Sequence, residues 1–266
     1  MAFALAFQVF AQAPRAQFEV ATVKFNPNGK NQSLYRNPGG RLVADNRTLK
    51  FLVSVAFGVK EFEVQGGPSW VDSDHFDIAA KAGTDASFPE MLPMLQALLE
   101  DRFKLAVHRE TKEQSVYVLA AAKGGLKLPD PKEGGCVPRS PDGKPPVRIS
   151  GQPPPVICGG LRVRFNGLDG FRISMEQLAG LLSEMTGRRV VDRTGFPGVF
   201  DASLKWSPDQ STAGMEKMVG PPPASIDMSG PSIFTALQDQ LGLKLESQKA
   251  PVEIVVIDHA ETPTEN

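Results

Sequence analysis

The sequence predicts an α+β protein made of two tandem, duplicated units, each with two helices on a small, mostly antiparallel sheet. Three observations carry this expectation. Gly40 to Leu119 reads as strand, helix, turn, strand, helix, strand, strand, and Phe171 to Ile257 reads as a shorter version of the same order. Leu49, Leu52, Val53, Ala56 and Gly58 recur, at identical spacing, as Leu178, Leu181, Leu182, Met185 and Gly187. Later landmarks keep step. Pro68 answers to Pro197, Phe76-Asp77 with Lys81 to Phe200-Asp201 with Lys205, and Leu95-Gln96 to Leu237-Gln238.

The elements follow in order. Phe18 to Lys24 alternates and is rich in β-formers, which predicts a strand. Asn26-Pro27-Asn28-Gly29 is a turn, and Ser33 to Arg36 and Arg41 to Ala44 are further strands. Asp45 or Asn46 can cap the next helix by accepting from an orphan N–H. That helix shows apolar Leu49, Leu52, Val53 and Ala56 on one face and ends at Gly58. Phe62 to Val64 and Phe76 to Ala80 read as strands, and Glu90 to Asp101 as a helix facing inward through Met91, Met94 or Leu95, Leu98 and Leu99. Phe103 to His108 and Val116 to Ala121 read as a hairpin around the charged run Arg109 to Glu113.

In the second unit, Leu161 to Phe165 is a strand and Met175 to Thr186 a helix closed by Gly187. Val190-Val191 is a short strand, and Val199 to Trp206 a strand longer than its counterpart. Ser232 to Leu241 is the last helix, and Lys244 to Gln248 with Val252 to Ile257 a closing hairpin. The domain plan is therefore 18–122 and 161–260, separated by a Pro/Gly-rich insertion over 123–160 and interrupted by a mobile insertion over 207–230.

Composition narrows the function. The net charge of −1 provides no electrostatic footprint for nucleic acid. Residues 1–13 are apolar and end in Ala11-Gln12-Ala13, which reads as a signal peptide or its remnant; the competing reading is an ordinary buried N-terminal helix. The stretch is too short to span a bilayer, and no other segment is long and apolar enough. The expectation is an exported protein, periplasmic or secreted. In that setting Cys136 and Cys158, flanking one Pro-rich loop, pair most simply as a disulfide worth about 3 kcal/mol on the chain-entropy model.

The repeated residues also carry a resemblance. Phe18-Glu-Val-Ala-Thr-Val-Lys24, Val64-Gln-Gly-Gly-Pro-Ser-Trp70 with Phe76-Asp-Ile78, and Leu99-Glu-Asp-Arg-Phe-Lys-Leu105 with Arg109-Glu-Thr-Lys112 appear in that order. Together they resemble an exported soil-bacterial family of uncharacterised proteins abundant in acidobacteria. The resemblance implies an envelope or sensing context, because the domain also occurs fused to antirepressor-type membrane metallopeptidases. It further implies a hydrolase opening a lactone or ester, since similar proteins from soil metagenomes are linked to hydrolysis of N-acyl homoserine lactone signals. Each half is also loosely similar to the N-terminal domains of secretins, which bind partners and catalyse nothing. The alternative function is therefore a non-catalytic envelope ligand-binding, scaffold or sensor module with an envelope protein as partner.

No catalytic signature accompanies the resemblance: G-x-S-x-G, H-E-x-x-H, a P-loop and a dinucleotide fingerprint are all absent, so no nucleotide or organic cofactor is expected. Three histidines, none adjacent, make a polyhistidine zinc centre a poor fit. The densest polar cluster is Asp72-Ser73-Asp74-His75-Phe76-Asp77. Asp72, Asp74 and Asp77 offer hard oxygen ligands to a calcium-like ion, with His75 and Asp74 as catalytic groups beside it. Against this, Asp77 has a counterpart in Asp201, which suits a structural hydrogen bond within each unit, and charge-rich turns are usually just solvated. Ser203 and Lys205 share one strand face and, with Trp70, are the candidate lining of a ligand cleft, and Trp206 is a further aromatic in this class; against this, the match of Lys205 to Lys81 favours a structural or surface role, and both tryptophans suit core or loop anchoring better. His108 and His259 read as exposed histidines.

Overall fold

The computed structural model describes residues 16–29, 32–138, 155–220, 223 and 229–263. Its elements divide into one unit formed by Met1–Lys112 with Val252–Asn266 and a second formed by Glu113–Pro251. The expected signal peptide lies outside the described residues, as does most of the loop between the cysteines. Among the described residues no helix is long and apolar enough to cross a membrane.

In the first unit, alternation lays down β1 (Val20–Phe25), β2 (Ser33–Asn37) and β3 (Arg41–Thr48). Thr48 then starts α1 (Leu49–Phe57), its hydroxyl accepting from Phe51 N at 3.2 Å. The cap is thus Thr48, not Asp45 or Asn46, because β3 runs on to the helix. Gly58 stops α1 in the left-handed conformation at φ 68°, where a side chain would be strained. The expected strand at Phe62 begins only at Val64, since Glu61–Glu63 form a 3-10 turn, and β4 is Val64–Gly66. A one-turn helix, α2 (Trp70–Ser73), leads into β5 (His75–Lys81). Then comes α3 (Phe88–Arg102), opened by a reciprocal Ser87/Glu90 box. The Ser87 hydroxyl and N–H both donate to Glu90 at 2.7 Å and hold its carboxyl below the ordinary range. That stabilisation is complete above the ordinary carboxylate pKa and is lost as pH falls through the lowered one.

The strands β1-β5-β3-β2 form one sheet, antiparallel throughout. The inward residues of β5, Phe76, Ile78 and Ala80, pack with Leu49, Leu52 and Val53 of α1 and Met91, Leu95 and Leu99 of α3 in one core. Each buried Leu, Ile or Phe contributes about 1.5–3 kcal/mol.

The expected hairpin after α3 is instead one strand, β6 (Ala106–Ala121). Arg109 to Glu113 contains no Gly, Pro, Asn or Asp to supply turn conformations, so charge alone does not bend the chain. The strand's first part, to Lys112, belongs to the first unit and the remainder to the second.

The second unit continues with β7 (Gly160–Arg164), β8 (Gly167–Ser174), α4 (Met175–Thr186), β9 (Val190–Asp192) and β10 (Val199–Lys205). The strand β10 matches β5 in length, at 7 residues each, rather than exceeding it. Strands β10-β8-β7 form an antiparallel sheet. Ser174 and Gln177 cap α4 reciprocally, and Gly187 ends it at φ 63°. The segment after β10 holds a short helix, α5 (Met215–Val219), whose Met215 is fully buried in the second core. The last helix, α6 (Ile233–Leu241), adds Ile233, Ala236, Leu237 and Leu241 to that core.

The closing element is again one strand, β11 (Leu243–His259), rather than a hairpin. Pro251 lies outside the Val255–Ile257 stretch that pairs with β4, so its missing N–H costs nothing on that side. The third sheet has the order β4-β11-β6-β9. Within the first unit β4 pairs in parallel with the end of β11, Val64 opposite Val255. Within the second, β9 pairs in parallel with the end of β6, Val190 opposite Tyr117. Each unit is therefore completed by the tail of a strand that starts in the other. This separates the observed units from the sequential 18–122 and 161–260 division.

Cys136 and Cys158 form a disulfide with Cα atoms 5.0 Å apart. Beside it Val137 N donates to Val156 O and Cys158 N to Val137 O, both at 2.8 Å, closing the neck of the insertion. Intact-mass analysis of the purified chain, alkylated before reduction, is expected to show no modified thiol. Two alkylated thiols would contradict the pairing.

Candidate functional site

The predicted acidic cluster spans the joint between α2 and β5, and each carboxylate there has a local partner. Asp72 pairs with Lys50, Nζ to Oδ1 2.8 Å. Asp74 accepts from the Ser73 hydroxyl at 3.2 Å. Asp77 takes Asn26 Nδ2 on both oxygens, at 2.9 and 3.0 Å, and the backbone N–H of Asn46 at 2.8 Å. Among the described residues no three His, Cys, Asp or Glu side chains are gathered so that they could hold a metal ion. Asp72, Asp74 and Asp77 therefore do not fit the expected calcium site: lysine already neutralises the first, and N–H donors occupy the third.

The Asp77 bonds have a clear cause. Pairing of β3 with β5 slips between Ala44 and Arg47, which places Asp45 and Asn46 opposite the single residue Asp77. Asn46 adopts φ 53°, and its N–H, released from the ladder by the bulge, finds the Asp77 carboxylate. The second unit repeats this arrangement. Pairing of β8 with β10 slips at Asp201; Arg172 adopts φ 50°, and its N–H donates to Asp201 at 2.8 Å. Lys132 N donates to the other Asp201 oxygen at 3.0 Å.

His75 opens β5, with Gln32 Nε2 3.4 Å from its Nε2. Nearby Arg47 donates to Ser33 O and Gln32 Oε1, both at 3.2 Å, and lies 3.9 Å above the Phe51 ring. Burial lowers the Arg47 pKa from its ordinary value, and Glu61 acts in the opposite sense. His108 pairs with Asp258 at 2.9 Å and His259 with Glu261 at 3.0 Å, all partly exposed. Trp70 packs against Phe76 and Phe103 in the first core, with ring centroids 6.1 and 6.4 Å away.

The candidate cleft residues Ser203 and Lys205 belong to the second unit and Trp70 to the first. Ser203 Oγ donates to Asp169 at 3.3 Å. Lys205 lines a cleft of about 270 Å³ within the second unit, with Arg164, Asn166, Gly167, Trp206, Ser207 and the Gly230-Pro231 segment around it. The turn between β7 and β8 supplies one wall, and the end of β10 the other. Trp206 N donates to Asn166 O at 3.2 Å, and Gly230 N to the Ser207 hydroxyl at 2.6 Å. Arg164 is oriented by Asp169, N–O 2.7 Å. Trp206 is 3% exposed, and its indole Nε1–H is buried without an acceptor. A buried donor left unpaired costs about 1–3 kcal/mol. Arg164 and Asn166 escaped the sequence reading; the Asn166-Gly167 turn signal places them at a hairpin tip, but only the fold brings that tip beside Trp206.

A second cleft of about 460 Å³ in the same unit is lined by Lys123, Lys127, Lys244 and glycines 124, 125 and 242. There Lys127 serves the end of α6, its Nζ donating to Asp239 O at 3.1 Å.

Two bulge-pinned α+β units with a small ligand-sized cleft define the class of protein. Residues 50–260 match the family model described as "Protein of unknown function (DUF3738)", and the chain belongs to that family. No curated protein and no solved structure matches the chain.

Proposed function

We propose that this chain is an exported, non-catalytic small-molecule-binding module of the cell envelope, built by duplication of one α+β unit and acting with an envelope protein partner. The observation that carries the binding role is the cleft of about 270 Å³ within the second unit, which has Arg164 and Lys205 among its lining residues. Duplication is supported by the repeated bulge, in which Asp77 and Asp201 receive the N–H of a left-handed Asn46 and Arg172. The disulfide suits an oxidising compartment.

A second reading is a hydrolase opening a lactone or ester, with N-acyl homoserine lactones as first substrates to try. His75 favours it, as an imidazole at the start of β5 of a kind that can serve as a general base. Its carboxylate partner would be Asp74, because Asp77 is committed to the bulge. One experiment separates the readings. The full chain is incubated with an N-acyl homoserine lactone, the lactone is followed by mass spectrometry, and protein melting is recorded. The binding module should return the lactone intact and, at a hundredfold excess over Kd, gain about 2.7 kcal/mol of stability. Acid-reversible disappearance of the lactone would establish ring opening and overturn the non-catalytic reading.

A further inference from the structure

We infer that the cleft at the tip of β7 and β8 is a site for a phosphoryl group, as free phosphate or the head of a small phosphate ester. The inference rests on the binding-module reading and gives its cleft a ligand chemistry. Strand register builds the site. Gly167 of β8 stands opposite Arg164 of β7 on one side and opposite Lys205 of β10 on the other. Residues in register project from the same face of a sheet, so two cationic side chains flank one position that has no side chain. Neighbouring strands lie about 4.8 Å apart, which puts the two cationic residues about 10 Å apart at their Cα atoms, within reach of one anion between their long side chains. Arg164 already leans over the backbone floor: a Cβ placed on Gly167 would lie 3.6 Å from its Nη2 and 3.7 Å from its Nε. All three residues line the cleft of about 270 Å³, which limits the ligand to a small molecule.

Donors here are left unspent. Asp169 takes Arg164 Nη2 at 2.7 Å, which leaves other N–H groups of the planar fork for a further acceptor. Lys205 is held through its backbone: its N–H donates to Gln240 Oε1 at 3.0 Å and its carbonyl accepts from Gln240 Nε2 at 2.8 Å. Its ammonium has no partner among the described residues. Asn166, exposed at the hairpin tip, spends only its backbone carbonyl, on Trp206 N at 3.2 Å. The Ser207 hydroxyl is already engaged by Gly230 N and is not needed. Asp169 is the acid that faces these cations; it is neutralised by Arg164 and accepts from Ser203, so positive charge is in excess. The free donors therefore come from β7, the hairpin tip and β10. A tetrahedral phosphoryl group points its oxygens apart and can accept from all three, whereas a planar carboxylate offers two oxygens in one plane. The corresponding row of the first unit has no such floor, since Lys81 of β5 stands opposite Arg41 of β3 where the second unit has glycine.

The alternatives fit less well. A cationic ligand would meet Arg164 and Lys205. In the lysine-lined cleft, Lys127 serves a carbonyl of α6 and Lys244 pairs with Glu246, while Asp239 adds a negative charge. That cleft also lies at the C-terminal end of the helix, where the dipole disfavours an anion.

The test uses the full chain carrying ¹⁵N-glycine, and a Gly167→Ala variant identifies the Gly167 amide among the 25 glycines. Glycerol 1-phosphate, inorganic phosphate, sodium acetate and methylammonium chloride are titrated separately at one ionic strength, because salt screens exposed charges. Both phosphates are expected to move the Gly167 signal saturably, while acetate at equal concentration moves it far less and methylammonium leaves it in place. Tighter binding of glycerol 1-phosphate would identify an ester as the ligand, and equal binding free phosphate; either supports the site. Lys205→Gln should weaken phosphate binding about threefold, as for an exposed charge contact. Arg164→Gln should weaken it about tenfold, as for a charge-assisted hydrogen bond. Lys81→Gln, which removes the matching cation of the first unit, should leave it unchanged. If Lys81→Gln weakens binding as much as Lys205→Gln does, phosphate is held by diffuse charge and the inference fails. If acetate binds as tightly as phosphate, the phosphoryl assignment falls while the binding reading stands. If neither phosphate moves Gly167, the inference fails. The lactone melting experiment, which needs no anion, then decides the binding reading separately: stabilisation there retains it, and no stabilisation ends both.

Discussion

Replacing Phe103 by alanine is expected to destabilise the first unit by about 3–5 kcal/mol, the largest effect of any substitution considered for this chain. Phe103 is fully buried. Its ring meets Phe76 edge-on at 5.0 Å and stacks near Trp70 at 6.4 Å, so three aromatics depend on one another. Its backbone ties separate parts of the unit, since Phe103 N donates to Leu99 O at 3.0 Å and Phe103 O accepts from Glu261 N at 2.7 Å. Truncation removes the ring's transfer energy and leaves a cavity that a rigid sheet and two helices cannot close. Because single domains hold about 5–15 kcal/mol, most of the unit's margin is at stake. A fall in melting temperature on the order of 20 °C is expected. Near-ultraviolet circular dichroism should show loss of the fixed environment of Trp70. A change below about 1 kcal/mol by urea titration would mean that this cluster is not the unit's anchor.

Asp77→Ala should cost about 3 kcal/mol, the second largest effect. It removes charge-assisted bonds to Asn26 and strands the Asn46 N–H at a bulge where the backbone is already strained at φ 53°. Asp201→Ala should act in the same direction on the second unit but by about 1–2 kcal/mol, because its bonds to Arg172 and Lys132 are exposed. Urea titration of both variants, with and without calcium and with EDTA, provides the check. Neither ion nor chelator should alter the wild-type midpoint or the size of either loss. A calcium-dependent midpoint that disappears in Asp77→Ala would show this carboxylate to be a ligand and not a bulge partner.

The contrast between these residues shows what local pattern can and cannot reveal. The recurrence of Asp77 as Asp201 pointed to a structural hydrogen bond, and the bonds exist; the cause, a bulge facing each aspartate, depends on two strands distant in sequence. Apolar spacing located α4, α6 and the end of α1 almost to the residue, because a helix draws its hydrogen bonds from its own neighbours. The cap of α1 was misplaced because Thr48, Asp45 and Asn46 are all competent acceptors, and only the extent of β3 selects among them. The carboxylates Asp72, Asp74 and Asp77 looked like a ligand set because they are close along the chain. Lys50 and Asn26, which occupy two of them, come from other elements.

By itself, then, the sequence determined the α+β class, most of the helices and strands in their order, the pairing of Cys136 with Cys158 and the spacing shared by the two halves' motifs. All of these rest on residues that act on their near neighbours or on a spacing repeated along the chain. Only the tertiary structure decided that Arg109 to Glu113 runs straight through a strand and that β11 supplies the last strand of the first unit. It also brought the Asn166 turn beside Trp206 and Lys205. Strand partners and cleft walls are contacts between distant residues, set by which apolar faces must be buried together, and no local spacing encodes that choice.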